Sequence, residues 1–239
     1  MCPAPKPTGL LIAFDGLDSS GKHTQVQHLL RRLRFMGHVV HHFESPDYTT
    51  SSGQKLKQKL QNKDGRWQAI PWPEKMRLFA HNRAEHRAEV LQALKLGEIV
   101  IYDRYVASSI AFMTIEGLDV QETELFRDKI QAAVSRYEYQ EQQMPLEHIS
   151  LFLDILPEIS VGLLEKRKEK MQDKDEYTDH LEIQQRLYNE YDLLCQQDPA
   201  RFLRILCVEG EELLNVDDVA ELVWENLRLK FPQLLQAYA

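Results

Sequence analysis

Residues 10–25 read LLIAFDGLDSSGKHTQ. An apolar run from Leu10 to Phe14 leads into Gly16, four intervening residues, and then Gly21 and Lys22. Val26, Leu29, Leu30 and Leu33 follow at helical spacing. Strand, glycine loop, lysine and helix, in that order, make a phosphate-binding loop. The glycines let consecutive backbone N–H groups converge on phosphate oxygens. The helix N-terminus adds a partial positive charge and Lys22 a full one. The motif departs from its usual form in one place. A Ser or Thr normally follows the lysine and puts a hydroxyl on Mg²⁺. Here that position is His23, and the hydroxyl comes one residue later, at Thr24.

Working outward, short apolar runs recur at 39–43, 98–102, 149–155 and 202–208. Helical periodicity fills the gaps, at about 22–36, 53–61, 74–96, 104–115, 121–138, 158–171, 181–196 and 216–229. This alternation predicts an α/β fold: a five-stranded parallel sheet of the P-loop NTPase type, flanked by helices on both faces. Ligands in such folds bind beyond the carboxyl ends of the strands. Asp15, Glu44, Asp103 and Asp154 all fall at those ends. With no repeat and no low-complexity linker, a single domain over 1–239 is expected.

Composition narrows the function. The net charge of −8 over 239 residues argues against a general nucleic-acid binder. No apolar stretch reaches the length of a membrane span. The start, MCPAPKPTG, lacks an apolar signal core and reads as a short frayed leader, so a cytoplasmic location is expected. Cys2, Cys195 and Cys207 form no metal spacing and suit a reducing compartment. His38, His41 and His42 sit in or beside a strand, where neighbours face opposite ways, so they do not read as a metal site. The C-terminal run VAELVWENLRLKFPQLL reads as an amphipathic helix docked on the sheet.

Two further segments carry chemistry. In GEIVIYDRYVASSIAF, residues 97–112, a strand ends in Asp103 and Arg104. A strand-end carboxylate beside a phosphate loop can hold Mg²⁺, directly or through water, and an adjacent arginine can fork onto phosphoryl oxygens. In LFAHNR, residues 78–83, Phe79 and Arg83 stand four apart and share one helix face. An aromatic ring and an arginine fork so placed can stack on and hydrogen-bond a flat heterocycle. Residues 165–180, EKRKEKMQDKDEYTDH, are dense in charge, which alone reads as a solvated helix end or exposed loop. With a phosphate loop elsewhere in the chain, the segment reads as a lid that closes basic side chains over phosphates.

Phosphate loop, DRY with its following Ser108 and Ala111-Phe112, and the Phe-x-x-x-Arg helix together resemble the thymidylate kinase family of nucleoside monophosphate kinases. The likeness runs from about residue 8 to 210. It implies ATP-dependent phosphorylation of dTMP to dTDP, Mg²⁺ with the ATP, and a homodimer. It implies an ATP site at Gly16, Ser19, Ser20, Gly21, Lys22, His23 and Thr24. It implies a dTMP site in which Asp18 accepts the 3′-hydroxyl, Phe79 stacks on thymine and Arg83 bonds its edge. Arg104 grips the acceptor phosphate, Tyr105 packs near the sugar, and Ser108 and Phe112 border the base. Lys22, Asp103 and Arg104 are the implied catalytic residues, with Asp103 organising Mg²⁺. The lid offers Lys166, Arg167, Lys168, Lys170 and Lys174, of which Arg167 and Lys174 are the expected catalytic cations. The family often has Phe-Pro-x-Arg after the second strand. This chain has Ser45-Pro46-Asp47-Tyr48, which leaves Tyr48 in the arginine's place. Met113 stands where many members have a glutamine. Two alternatives stay open: a kinase for another nucleotide or nucleoside on this fold, and a nucleotide-binding protein without turnover.

Overall fold

The structure, a computed structural model, describes residues 9–61, 66–119, 123–168, 181–210 and 212–232. Along the chain these form β1 (Leu10–Gly16), α1 (Lys22–Phe35), β2 (Val40–Glu44), α2 (Ser51–Gln61), α3 (Trp72–Ala84) and α4 (Arg87–Lys95). Then come β3 (Ile99–Asp103), α5 (Val106–Leu118), α6 (Glu124–Arg136), a π-helical turn (Tyr137–Glu141), β4 (Ile149–Asp154), α7 (Pro157–Lys168) and α8 (Leu181–Gln197). β5 (Phe202–Leu206), a short hairpin of β6 (Val208–Glu209) and β7 (Glu212–Leu213), and α9 (Val216–Lys230) follow.

Side chains alternate between the faces of a strand, and all seven residues of β1 are buried. Both of its faces must therefore be covered, which suits the centre of a parallel sheet. The five long strands are parallel and lie in the order β2-β3-β1-β4-β5. Leu10, Ile12 and Phe14 pack on one side with Val26, Leu29 and Leu30 of α1 and Val219, Val223 and Leu227 of α9. Leu11 and Ala13 pack on the other with Val90 of α4, Val106 and Ile110 of α5, and Ile130 and Val134 of α6. Full burial of each such side chain is worth roughly 1.5–3 kcal/mol. The residues that leave the tip of β1 therefore start from the best-anchored point of the sheet.

The five expected strands are present. The run 202–208 stops at Leu206, because Val208 pairs with Leu213 in the hairpin instead. The expected helix over 74–96 is two helices, broken at Glu85 and His86. Long-range contacts at His86 override the local helical pattern: Nε2 lies 2.9 Å from Asp47 Oδ2, and the ring is 5.0 Å from that of Phe43. The widening into a π turn after α6 has no counterpart in the apolar spacing.

Candidate active site

The loop after β1 is bent as its glycines require. Gly16 has φ 137°, and a Cβ there would meet the Leu153 carbonyl oxygen at 2.9 Å. Gly21, at φ 86°, precedes α1, which has no side-chain N-cap and no acidic residue in its first turn. The N–H groups of that turn are thus left for an outside acceptor. Lys22 is 7% exposed, and its Nζ donates to the Leu17 carbonyl at 2.5 Å, the Gly16 carbonyl at 3.2 Å and Ser20 Oγ at 3.3 Å. Burial, and next the nearby Arg104 charge, push the Lys22 ammonium down to about 8. An ammonium so poorly solvated gains strongly from phosphate oxygens.

Arg104 joins this loop to the rest of the site. It is a non-glycine residue at φ 65°, a conformation that costs on the order of 1 kcal/mol and is kept by its contacts. Its backbone N–H donates to the Phe14 carbonyl at 2.8 Å, Nη1 to the Gly16 carbonyl at 2.9 Å, and Nη2 to Asp18 Oδ1 at 2.5 Å. Asp18 is held in turn from α7 and α8. Ser160 Oγ donates to its carbonyl at 2.7 Å, and Gln184 Nε2 approaches Oδ2 at 3.4 Å. Beneath them lies Asp15, 1% exposed. Its Oδ1 accepts from the Tyr105 and Ser108 N–H groups, both at 3.1 Å, and from Ser108 Oγ at 2.5 Å; its Oδ2 accepts from Ser150 Oγ at 2.6 Å. A carboxylate against the first N–H groups of α5 suits that helix's dipole. Sequence reading noted Asp15 only as a strand end; the usable signal was a carboxylate directly after an unbroken apolar run.

Beside Arg104 opens a pocket. Asp18, Tyr48, Phe79, Arg83, Arg104, Ser108 and Phe112, all named from the sequence, border it together. Ser45, Pro46, Leu60, Ser109 and Met113 complete the wall. Phe79 is half-buried, edge-on to Trp67 at 6.0 Å. Arg83, 2% exposed, pairs with Glu138, and its Nη2 donates to Ser109 Oγ at 3.0 Å and the Tyr105 carbonyl at 3.3 Å. Burial works against the Arg83 charge, but the Glu138 carboxylate outweighs it and the pKa is raised. Tyr105, expected beside the sugar, is instead fully buried and does not border the pocket. Its hydroxyl donates to the Pro145 carbonyl at 2.7 Å, which turns the ring into the core under Arg83.

The segment that carries Pro46 and Tyr48 is held by Asn82, which is wholly buried. Asn82 Oδ1 accepts from the Asp47 N–H at 2.8 Å; its Nδ2 donates to the Asp47 carbonyl at 3.1 Å and to Thr50 Oγ1 and Ser52 Oγ, both at 2.9 Å. A Cβ on Gly53 would fall 1.7 Å from the Asp47 carbonyl oxygen, so only glycine allows this close a turn. Asn82 lies between Phe79 and Arg83 in the quoted helix. It was passed over because a buried amide and an exposed one look alike in a sequence.

Asp103 and Glu44 end β3 and β2 as paired residues. Partial burial, and then the charges of Asp103 and Asp47, raise the Glu44 pKa. Crowded carboxylate oxygens are donors that Mg²⁺ favours. Exposed His23 lies beside them, Nδ1 3.9 Å from Asp103 Oδ2, but imidazole is a poor Mg²⁺ ligand. Among the described residues no group of three or more His, Cys, Asp or Glu could hold a metal ion alone. The donor set fits a cation shared with substrate phosphates. Of the lid, Lys166 is exposed at the end of α7. The side chains of Arg167 and Lys168, and the whole of Lys170 and Lys174, lie outside the described residues.

The family model for thymidylate kinase matches residues 14–214. The chain is similar to the thymidylate kinase of Arabidopsis thaliana, 40% identical over 116 residues, or 48% of this chain and 43% of that one. It is 36% identical over 115 residues to that of Pelotomaculum thermopropionicum, covering 47% and 52% of the two chains. To that of Protochlamydia amoebophila it is 28% identical over 236 residues, covering 95% and 99%. The matched stretch thus spans about half the length of the first two relatives. The family match runs from the end of β1 past the β6–β7 hairpin and takes in every element that builds the loop and the pocket, so the chain belongs to the thymidylate kinase family.

Proposed function

We propose that the chain transfers the γ-phosphoryl group of ATP to the phosphate of dTMP, giving dTDP and ADP. The observation that carries this reading is the position of Arg104, which bonds the phosphate loop at the Gly16 carbonyl and at Asp18 and itself lines the pocket. A nucleotide triphosphate on the loop and a monophosphate in the pocket would meet at its guanidinium.

The acceptor phosphate oxygen attacks the γ-phosphorus in line. The bond to the bridging oxygen breaks, and ADP leaves with that electron pair. No protein nucleophile is needed, so catalysis is positioning and charge stabilisation. Lys22 and the first-turn N–H groups of α1 hold the triphosphate. Arg104 grips the acceptor phosphate, Asp18 takes the 3′-hydroxyl, Phe79 stacks on thymine and Arg83 bonds its edge. Asp103, with Glu44 beside it, would hold the Mg²⁺ that comes with ATP; when bound, that ion neutralises oxygens that gain charge. Arg167 or Lys174 supplies the lid cation, and closure excludes water so that ATP is not hydrolysed. The chain acts as one domain and as a homodimer in the cytoplasm. Among the described residues no helix is long and apolar enough to cross a membrane.

His23 and Tyr48, each in place of a phosphate-side residue, favour a second reading, a binder without turnover. Competition among dTMP, dUMP, dCMP, dGMP and thymidine for phosphate from ATP decides. The proposal expects dTMP to be the best acceptor. Equal use of another acceptor, or no transfer at all, overturns it.

A further inference from the structure

The π-helical turn after α6 takes no part in the phosphoryl transfer, yet it sets a carboxylate against the arginine of the base pocket. Turns of this kind within helices often mark functional positions. Tyr137–Glu141 forms this one, and it carries Glu138, 0% exposed, onto Arg83 Nη1. A guanidinium has five N–H donors. Glu138, the Tyr105 carbonyl and Ser109 Oγ engage Arg83, while its Nε has no hydrogen-bond partner and the Glu138 Oε2 has none either. Arg83, which borders the pocket, thus has donors that no protein group uses. The buried hydroxyls of Tyr102 and Tyr105 also act on Arg83, and the latter is spent on the Pro145 carbonyl.

Without Glu138, a full positive charge would stand beside the bound base in a medium that screens it poorly. With Glu138, the charge is cancelled and the N–H groups are left. We infer that Glu138 is a positioning residue that determines base specificity: it neutralises Arg83 and orients its free N–H groups, so that the pocket takes an uncharged imide ring and disfavours the same ring bearing negative charge. This deepens the reading of the pocket as the base site of dTMP and rests on it.

The test is steady-state kinetics of the full chain with ATP and Mg²⁺, comparing dTMP with 5-nitro-dUMP, whose nitro group makes the ring imide ionise near neutral pH. The wild type is expected to favour dTMP. Glu138→Gln keeps the shape and an acceptor oxygen but removes the charge. It is expected to shift the kcat/KM ratio at least tenfold toward the nitro analogue, through KM rather than kcat. An unchanged ratio, or a loss confined to kcat, overturns the inference. If Glu138→Gln does not fold, the double variant Arg83→Gln/Glu138→Gln, which buries no charge, decides. A dTMP KM raised about tenfold with no gain for the nitro analogue supports the inference, and a wild-type KM overturns it. A wild type that ignores dTMP overturns the base-site reading itself, an outcome distinct from a wild type that uses dTMP while the variant ratio stays put.

Discussion

The phosphate loop and the base pocket are built in opposite ways. The loop is one run of seven residues, Gly16 to Lys22, in which the lysine bonds to carbonyls of its own segment. The pocket draws on segments around Asp18, Pro46, Leu60, Phe79, Arg104 and Met113, and its arginine is held by a carboxylate 55 residues away. A local site depends on backbone conformation, which glycine and helix signals dictate. A dispersed site depends on side chains such as Asn82 and Glu138 that hold other side chains. The two should therefore fail separately, except at Asp15, Asp18 and Arg104, where they join.

The largest effect is expected from Lys22→Ala. Loss of a phosphate clamp should lower kcat by about a thousandfold or more, some 4 kcal/mol, while dTMP affinity measured by calorimetry stays within a few-fold. Equal loss of dTMP binding would break the separation. Next is Asp15→Asn, which leaves donors from α5 and β4 poorly matched. Urea unfolding should show a loss of about 2–4 kcal/mol, with ATP and dTMP affinities both reduced, since this residue lies under both regions. Asn82→Ala should cost about 1–3 kcal/mol of stability and raise the KM for dTMP roughly tenfold, leaving that for ATP alone. Parallel changes in both KM values would show that the 45–53 turn serves the loop as well.

The smallest effect sharpens the contrast through pH. The Lys22 ammonium, lowered to about 8, is fully charged below that pH and is lost as pH rises through it. ATP affinity of the free protein should therefore fall about tenfold, ~1.4 kcal/mol, near one unit above that value, with proton uptake on binding, while dTMP affinity changes less. Calorimetry in buffers of different ionisation enthalpy measures both.

The sequence made the parallel sheet and the phosphate loop legible, because strand burial, glycine placement and helix spacing all leave periodic or local traces. Phe79, Arg83 and Arg104 were legible as a set only through their resemblance to a family pattern. Asp15, Asn82, Ser109 and Glu138 were not, since their roles come from partners 26 to 135 residues away. At His86 a tertiary hydrogen bond outweighed the local helical pattern, and at Tyr105 the bond to the Pro145 carbonyl holds in the core a ring that the family resemblance put near the sugar.

The account turns on a direct handover between two nucleotides that meet at Arg104. ATP made chiral at its γ-phosphorus with oxygen isotopes, incubated with the chain, Mg²⁺ and dTMP, tests this most directly through the configuration of the dTDP formed. Inversion is the predicted result. Retention, or the absence of labelled dTDP, would contradict it.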